Sequence, residues 1–135
     1  MIDDSRGVAP EGWHVPSDEA WKELEMYLGM SQSEADTSGW RGTDEGGKLK
    51  EAGFTHWSDP NAGANNESGF TALPAGCRSS GLLTYVSQGN YARFWSTTEN
   101  GKNVMAHEIT AFRSTINRGT KNKGNGMSIR CVRDN

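Results

Sequence analysis

Glycine is the feature that most limits the folds open to this sequence. Seventeen of the 135 residues are glycine, about twice the usual frequency in proteins, and they are spread along the whole chain. Glycine weakens the interior of a helix or strand and is common in tight turns. We therefore expect short helices and strands, many turns and long ordered loops. A length of 135 residues suits a single domain, over residues 1–135.

The composition indicates a folded domain with a small apolar core. Hydrophobic residues make up only 33% of the chain, but five Trp, three Tyr and four Phe supply large rings that disordered chains lack. The net charge of −3 argues against a general nucleic-acid binder, which needs a basic surface. No apolar stretch approaches the ~20 residues of a membrane span, and no signal peptide is visible. We expect neither nucleic acid as a partner nor membrane insertion.

The first half of the chain carries the helix signals. Ser17 is a good N-cap, and the apolar spacing after it predicts an amphipathic helix over residues 18–28. A short helix is expected over residues 47–52, and a capping-box pattern at residues 31–34 predicts one further turn. The residues expected on the buried faces of the two helices are Trp21, Leu24, Leu28, Leu49 and Ala52.

The second half of the chain carries the strand signals. Residues 59–69 are almost all turn-forming, so residues 55–81 read as a long ordered loop. Because helices come first and an antiparallel sheet follows, the predicted class is α+β. The five runs that we interpret as strands are Leu82–Val86, Tyr91–Thr97, Val104–Phe112, Ser114–Asn117 and Met127–Val132.

Large apolar residues on these elements are expected to form the core, whereas most charged residues are expected to be solvated. Arg130 is predicted to hold loop carbonyls or a carboxylate, because a buried arginine needs a partner. The acidic residues expected to be solvated are Glu23, Glu25, Asp44 and Glu45. The expected core residues are Trp13, Trp21, Leu24, Phe70, Leu73, Trp95, Ile109, Met127 and Ile129.

The sequence contains no catalytic or metal-binding motif, so we expect no catalytic residue, no metal and no cofactor. Two weaker readings stay open. Cys77 is a candidate nucleophile, with His56 or His107 as its base. Oxygen-bearing side chains in the long loop are candidate calcium ligands, although their spacing is not that of an EF-hand; they are Asp59, Asn61, Asn65, Asn66 and Glu67.

Five motifs, in order and spacing, resemble the Fibrobacter succinogenes major paralogous domain, a module of Bacteroidetes-type bacteria and their phages. The resemblance runs from about Gly7 to Asp134. It implies a C-type-lectin-like fold: one or two short helices, a small twisted antiparallel sheet and long ordered loops. The motifs are Gly12-Trp13-His14-Val15-Pro16-Ser17-Asp18, Gly47-Lys48-Leu49-Lys50-Glu51-Ala52-Gly53, the segment 66–76, Phe94-Trp95-Ser96-Thr97-Thr98-Glu99 and the segment 126–134.

The chain departs from this family pattern in two ways. Members often carry a cysteine where this chain has Ala9, so Cys131 is expected to be a free thiol, and a Cys77–Cys131 bridge is not expected. Members also generally have an N-terminal strand and a leader sequence before the first motif. We therefore expect the chain to be truncated or to be the C-terminal module of a longer protein, at the cell surface or in a phage virion.

The C-terminal third also resembles the variable proteins of diversity-generating retroelements, in which asparagine-type codons are mutated at adenines. Most residues between the fixed positions of segment 103–131 are reachable by such mutation, but Glu108 and Lys121 are not. Two alternatives stay open: a retroelement-diversified protein and an undiversified paralogue.

This resemblance implies a non-enzymatic ligand-binding or display domain whose partner is a protein or glycan on a cell surface. The alternatives are a cysteine-dependent oxidase like the formylglycine-generating enzymes, using Cys77, and a structural module of a surface or virion assembly. Strand alternation points His107 inward together with Met105 and Ile109. The predicted ligand-binding residues are Tyr91, Arg93, Ala106, His107, Glu108, Thr110, Phe112, Arg113, Thr115, Asn117, Thr120 and Asn122.

Overall fold

The computed structural model describes residues 7–135, so the first six residues of the predicted domain lie outside the described part. The described chain is α+β, with few short helices and small antiparallel sheets, as predicted. None of the helices in this part is long and apolar enough to cross a bilayer. In chain order the elements are β1 (Trp13–His14), α1 (Asp18–Tyr27), α2 (Gln32–Ala35), β2 (Gly39–Arg41), α3 (Glu45–Leu49), β3 (Cys77–Arg78), β4 (Tyr85–Val86), β5 (Tyr91–Asn100), β6 (Asn103–Thr110), β7 (Ile116–Asn122) and β8 (Val132–Arg133).

A four-stranded antiparallel sheet, in the order β2-β7-β6-β5, carries the fold. Two short ribbons, β1-β8 and β3-β4, accompany it. Beside β5 the chain around Ser128 forms a parallel bridge with Phe94. There the Trp95 N–H donates to the Ser128 carbonyl at 3.0 Å, and the Ser128 N–H donates to the Arg93 carbonyl at 2.9 Å. This segment therefore covers part of the β5 edge.

The predicted helix starts are confirmed where capping residues mark them. The Ser17 hydroxyl accepts from the Ala20 N–H at the start of α1, and Ser31 and Glu34 form the predicted capping box of α2. Helix α3 spans residues 45–49 instead of 47–52, and Ala52 is exposed. The helix ends early because Lys50 already has an extended backbone.

Strand boundaries differ most from prediction where turns replace extended chain. Only residues 85–86 of the predicted strand 82–86 pair, because Leu83 adopts a positive φ of 55° in a turn closed by the Ser79 and Thr84 backbones. Of the predicted strand 127–132, only Val132 lies in a named strand. The three-residue strand β2 was not predicted.

The core lies between α1 and the inner face of the sheet. Trp21 and Ile109 are buried as predicted, and Leu24 and Phe70 pack against the cluster. The other predicted core residues are less buried: Trp13 and Leu73 are exposed, and Trp95, Met127 and Ile129 are half-buried. Trp13 is exposed because its strand pairs only with the two-residue β8. Core residues that were not predicted include Trp57 and Ile116.

Buried charges join α1 to the sheet. The His107 Nε2 lies 2.8 Å from Asp18 Oδ1, and its Nδ1 lies 3.0 Å from Glu25 Oε2. Arg118 pairs with Asp18 at 2.7 Å, and Arg41 pairs with Glu25 at 2.7 Å. We call these five residues the charge network. Glu25 is fully buried, so the prediction that it is solvated was wrong. The same prediction was wrong for Glu45, which is only 3% exposed.

Both ring nitrogens of His107 face carboxylate oxygens, so the geometry favours an imidazolium that donates from each. Burial alone would lower the pKa of His107, but the hydrogen bonds and charges of Asp18 and Glu25 outweigh it and raise the pKa above its ordinary value. Burial works in the opposite sense on the two carboxylates and raises their pKa values. His107 and the arginines overcome this effect, so the pKa values of Asp18 and Glu25 are lowered.

These shifts predict a pH-dependent stability. A raised folded-state pKa of His107 contributes stability that is complete below about pH 6.5, its ordinary pKa, and is lost as the pH rises through the raised value. The lowered carboxylate pKa values contribute stability that is complete above about pH 4.5 and is lost in acid. The free energy of unfolding should therefore be highest between these limits.

We predict that His107→Gln lowers the free energy of unfolding by about 3 kcal/mol at pH 6, because it breaks a buried ionic contact. The decline of stability above neutral pH should also disappear in this variant. Urea unfolding at several pH values measures both effects. His14→Gln is the matched control, since His14 pairs with Asp134 at the surface, and it should change stability by less than ~0.5 kcal/mol. An unchanged alkaline decline in His107→Gln would contradict the prediction.

Candidate ligand-binding surface

The pleat of the sheet gives it two chemically different faces, because side chains alternate along each strand. Phe94, His107 and Ile109 belong to the inner face, which packs on α1. Backbone register aligns four residues across the sheet. Arg93 of β5 lies opposite Glu108 of β6, Glu108 lies opposite Asn117 of β7, and Asn117 lies opposite Trp40 of β2. This row crosses all four strands on the side away from α1. We call this side the display face.

The structure divides the twelve predicted ligand-binding residues by exposure. Phe112 is 52% exposed, and Arg113, Thr120 and Asn122 are also exposed; Tyr91, Arg93, Thr115 and Asn117 are intermediate. By alternation from the inward-pointing Arg118, Thr120 and Asn122 belong to the opposite face from Asn117. Four of the predicted ligand-binding residues are at most 5% exposed, so they are interior positions and the prediction that they contact a ligand is corrected. These four are Ala106, His107, Glu108 and Thr110.

Two of these buried positions have an evident structural role. His107 is on the inner face, inside the charge network. Glu108 is on the display face but is covered by the side chains that it holds: Arg93 Nε donates to its carboxylate, Asn117 Nδ2 does so at 3.4 Å, and Lys121 Nζ lies 3.7 Å away. Burial lowers the pKa of Arg93, but its pairing with Glu108 raises it to a larger extent. Glu108 therefore fixes side chains from two neighbouring strands.

Aromatic and cationic side chains stack at two places on the display face, one on β5 and one on β2. The rings of Tyr91 and Phe112 lie 6.5 Å apart in an edge-to-face arrangement. The Arg93 guanidinium lies over the Tyr91 ring at 4.9 Å, and the Arg113 guanidinium lies over the Trp40 ring at 4.9 Å. Sequence reasoning missed Trp40, because the strand that carries it was not predicted. These five residues are the aromatic cluster.

Lys50 holds the turn that carries Phe112. Its buried ammonium donates to the carbonyls of Ala62, Thr110 and Arg113 at 2.8, 2.9 and 3.1 Å, and burial lowers its pKa to about 8. Two of these acceptors flank Phe112 in the sequence, so the turn is tied to the core on both sides. Arg130 donates to the loop carbonyl of Phe70 at 3.0 Å, as predicted, but it is exposed, so the prediction that it is buried was wrong.

The remaining candidate groups have other partners. Both cysteines are free, and the Cys77 thiol lies 2.7 Å from Arg93 Nη1. His56 pairs with Glu51, while His107 is held by its two carboxylates. In the loop proposed for calcium, Asn61 donates to two backbone carbonyls, Asn65 accepts from the Glu67 N–H and Asn66 bonds to Thr71. Residues 7–135 hold no cluster of three potential metal ligands among His, Cys, Asp and Glu.

We predict that Glu108→Gln lowers the free energy of unfolding by about 2 kcal/mol, because it removes the charge that the half-buried Arg93 requires. Urea unfolding at pH 7 measures the change. Glu99→Gln is the control: Glu99 pairs with Lys123 at 2.8 Å with both side chains about half exposed, and its loss should cost less than ~0.5 kcal/mol. Equal effects of the two substitutions would show that Glu108 is not a support of the display face.

Comparison with known proteins identifies one relationship. The sequence profile described as the Fibrobacter succinogenes major domain matches residues 1–133, which is nearly the whole chain. Comparisons with curated proteins and with solved structures gave no match.

Proposed function

The chain belongs to the Fibrobacter succinogenes major domain family, and from this premise we propose that it is a non-enzymatic ligand-binding domain with a C-type-lectin-like fold. In this proposal the display face binds a protein or glycan of a cell surface. The domain acts outside the cell, at a cell surface or in a phage virion.

The aromatic cluster is the single observation that carries the proposal. Its two guanidinium groups and three rings include the residue types that dominate the energetics of protein interfaces. Phe112, an apolar side chain, is 52% exposed to solvent. Partly exposed aromatic rings stacked with arginine, beside the exposed ring of Phe112, form a surface that a partner can desolvate at low conformational cost.

The buried contacts that hold this cluster in place favour the interpretation that it binds a ligand over the interpretation that it is only a solvated loop. Lys50 ties the Phe112 turn to the core, and Glu108 holds Arg93. Side chains that are already ordered lose less conformational entropy when a partner binds. The display face is therefore organised before it meets its ligand.

Burial narrows the part of the chain in which variation is tolerated. Glu108 and Lys121, the two residues that adenine mutation of an asparagine codon does not produce, contact each other and belong to the support. Random replacement at His107 would break the charge network. We therefore confine the proposed variable surface to Phe112, Arg113, Thr115 and Asn117 together with Tyr91 and Arg93. A neighbouring reverse transcriptase gene and a near-copy of the coding sequence differing only at adenines would identify retroelement diversification.

We predict that Phe112→Ala and Tyr91→Ala each weaken ligand binding at least tenfold, which corresponds to about 1.4 kcal/mol. The domain is screened on a glycan array and on intact bacterial cells, and the tightest ligand is titrated against each variant. Tyr27→Ala is the control, because Tyr27 is 87% exposed on α1, far from the display face in sequence and outside the sheet. Affinities within twofold of the parent for both display-face variants would contradict the proposal.

The alternative, a cysteine-dependent oxidase, draws on one contact, that between the Cys77 thiol and Arg93. We predict that Cys77→Ser keeps ligand affinity within about twofold, because residue 77 is buried and the serine hydroxyl can still accept a hydrogen bond from Arg93. The same variant should show no loss of cysteine-peptide oxidation relative to the parent. Parent-dependent oxidation that Cys77→Ser abolishes would establish the alternative instead.

A further inference from the structure

A partly apolar cavity opens on the display face at the end opposite to the aromatic cluster. It encloses about 210 Å³, and Trp95, Val104, Met127 and Ile129 form its apolar walls. Ser128 is bridged to Phe94, so Met127 and Ile129 alternate to the same side as Trp95. Three of these four side chains are only half-buried. They were expected in the core, but they line the cavity and stay partly exposed.

The rim of the cavity is polar and contains an exposed ion pair whose contact a ligand can replace. Lys123 Nζ lies 2.8 Å from Glu99 Oε1, and the two side chains are 44% and 52% exposed. Exposed pairs of this kind contribute little to stability, so a ligand that offers an anion to Lys123 and a hydroxyl donor to Glu99 can replace the contact. Asn125 adds an amide to the same rim.

A second concavity lies across the segment 123–127 and has a positive lining. This cleft encloses about 560 Å³ and shares Lys123, Asn125 and Met127 with the first. Arg78 and Tyr85, which face each other across the β3-β4 ribbon, complete it. Two cations and no Asp or Glu are found among its described lining residues. The cleft is therefore complementary to an anionic group.

We propose that the cavity beside Trp95 binds one ring of an acidic sugar, with the carboxylate of the sugar directed to Lys123, at the border with the positively lined cleft that contains Arg78. The inference rests on the proposed function and narrows the partner to an acidic glycan at this end of the display face. A sugar ring has an apolar C–H face that packs on the indole of Trp95, while its hydroxyls suit Glu99 and Asn125. A cavity of this volume admits one ring, whereas protein partners bury large, flatter surfaces.

The test titrates the isotopically labelled domain with three acidic sugars, galacturonate, glucuronate and N-acetylneuraminate, followed by amide chemical shifts. The neutral parents galactose and glucose, and acetate alone, are titrated in parallel. We expect at least one acidic sugar to shift residues 95–99 and 123–129 with an affinity at least tenfold above that of both neutral sugars and of acetate. Added salt should weaken this binding, because the contact is partly ionic.

Three variants test the assignment of residues. Lys123→Gln and Arg78→Gln should each weaken binding of the acidic sugar at least fivefold, and Met127→Trp should block it by filling the cavity. Lys102→Gln is the control, because Lys102 is an exposed cation in the β5-β6 turn outside both concavities; it should leave affinity within twofold. Met127→Trp and Lys123→Gln are used in place of Trp95→Ala, since loss of the indole endangers folding.

Each outcome of the titration decides the proposal. Failure of all three acidic sugars to shift the lining residues overturns it, as does equal binding of the neutral parents. Equal binding of acetate shows an anion site without sugar recognition and also overturns it. These failures leave the proposed function standing if Phe112→Ala still weakens binding of the partner found on the array or cells. If Phe112→Ala has no effect while acidic sugars bind the cavity, the assignment of the aromatic cluster fails instead.

Discussion

The contact of His107 with Asp18 and Glu25 determines which side of the sheet faces the solvent. A buried charge without its partner costs several kcal/mol, so β6 is held in the register that places this imidazole against α1. In a strand, a shift by one residue exchanges the two faces. Because His107 points toward α1, the neighbouring Glu108 must point to the opposite face of the sheet. The residues aligned with Glu108 across the sheet, from Arg93 to Trp40, point to the same face. The stacking of Trp21 on His107, with ring centroids 5.5 Å apart, joins the same contact to the apolar core.

A second set of buried polar groups holds the irregular parts of the chain. The many turns and loops leave carbonyls that no strand satisfies, and unsatisfied buried carbonyls are costly. Lys50 supplies donors to three of them, and Trp57 donates its indole N–H to the carbonyl of Ala72 at 2.9 Å. Gly46 and Gly47 allow α3 to lie close to neighbouring backbone. A Cβ atom at position 46 would clash with the Thr115 carbonyl, and one at position 47 would clash with the Gly63 carbonyl. A domain with little apolar surface thus obtains rigid loops from polar contacts, and the display face depends on that rigidity.

The features that were predictable from the sequence are those set by local chemistry. Ser17 and Ser31 marked true helix starts, and the alternation around Ile109 placed His107 correctly on the inner face. The missed features depend on contacts between distant segments. Glu25 looked like an exposed helix charge because its partners, Arg41 and His107, lie 16 and 82 residues away. Likewise, β2 is recognisable only through its pairing with β7. Met127 and Ile129 resembled core residues because a sequence pattern cannot show that the cavity they line is open to solvent.

The central claim is that binding specificity lies in exposed and half-buried side chains of the display face and not in the fully buried scaffold beneath them. An exchange experiment tests it most directly: the side chains at positions 91, 93, 112, 113, 115 and 117 are replaced by those of a second family member with a different partner. Affinities for both partners are then measured by biolayer interferometry. The account predicts that the exchanged domain binds the second member's partner and loses its own. Retention of the original preference in a correctly folded exchange variant would contradict it.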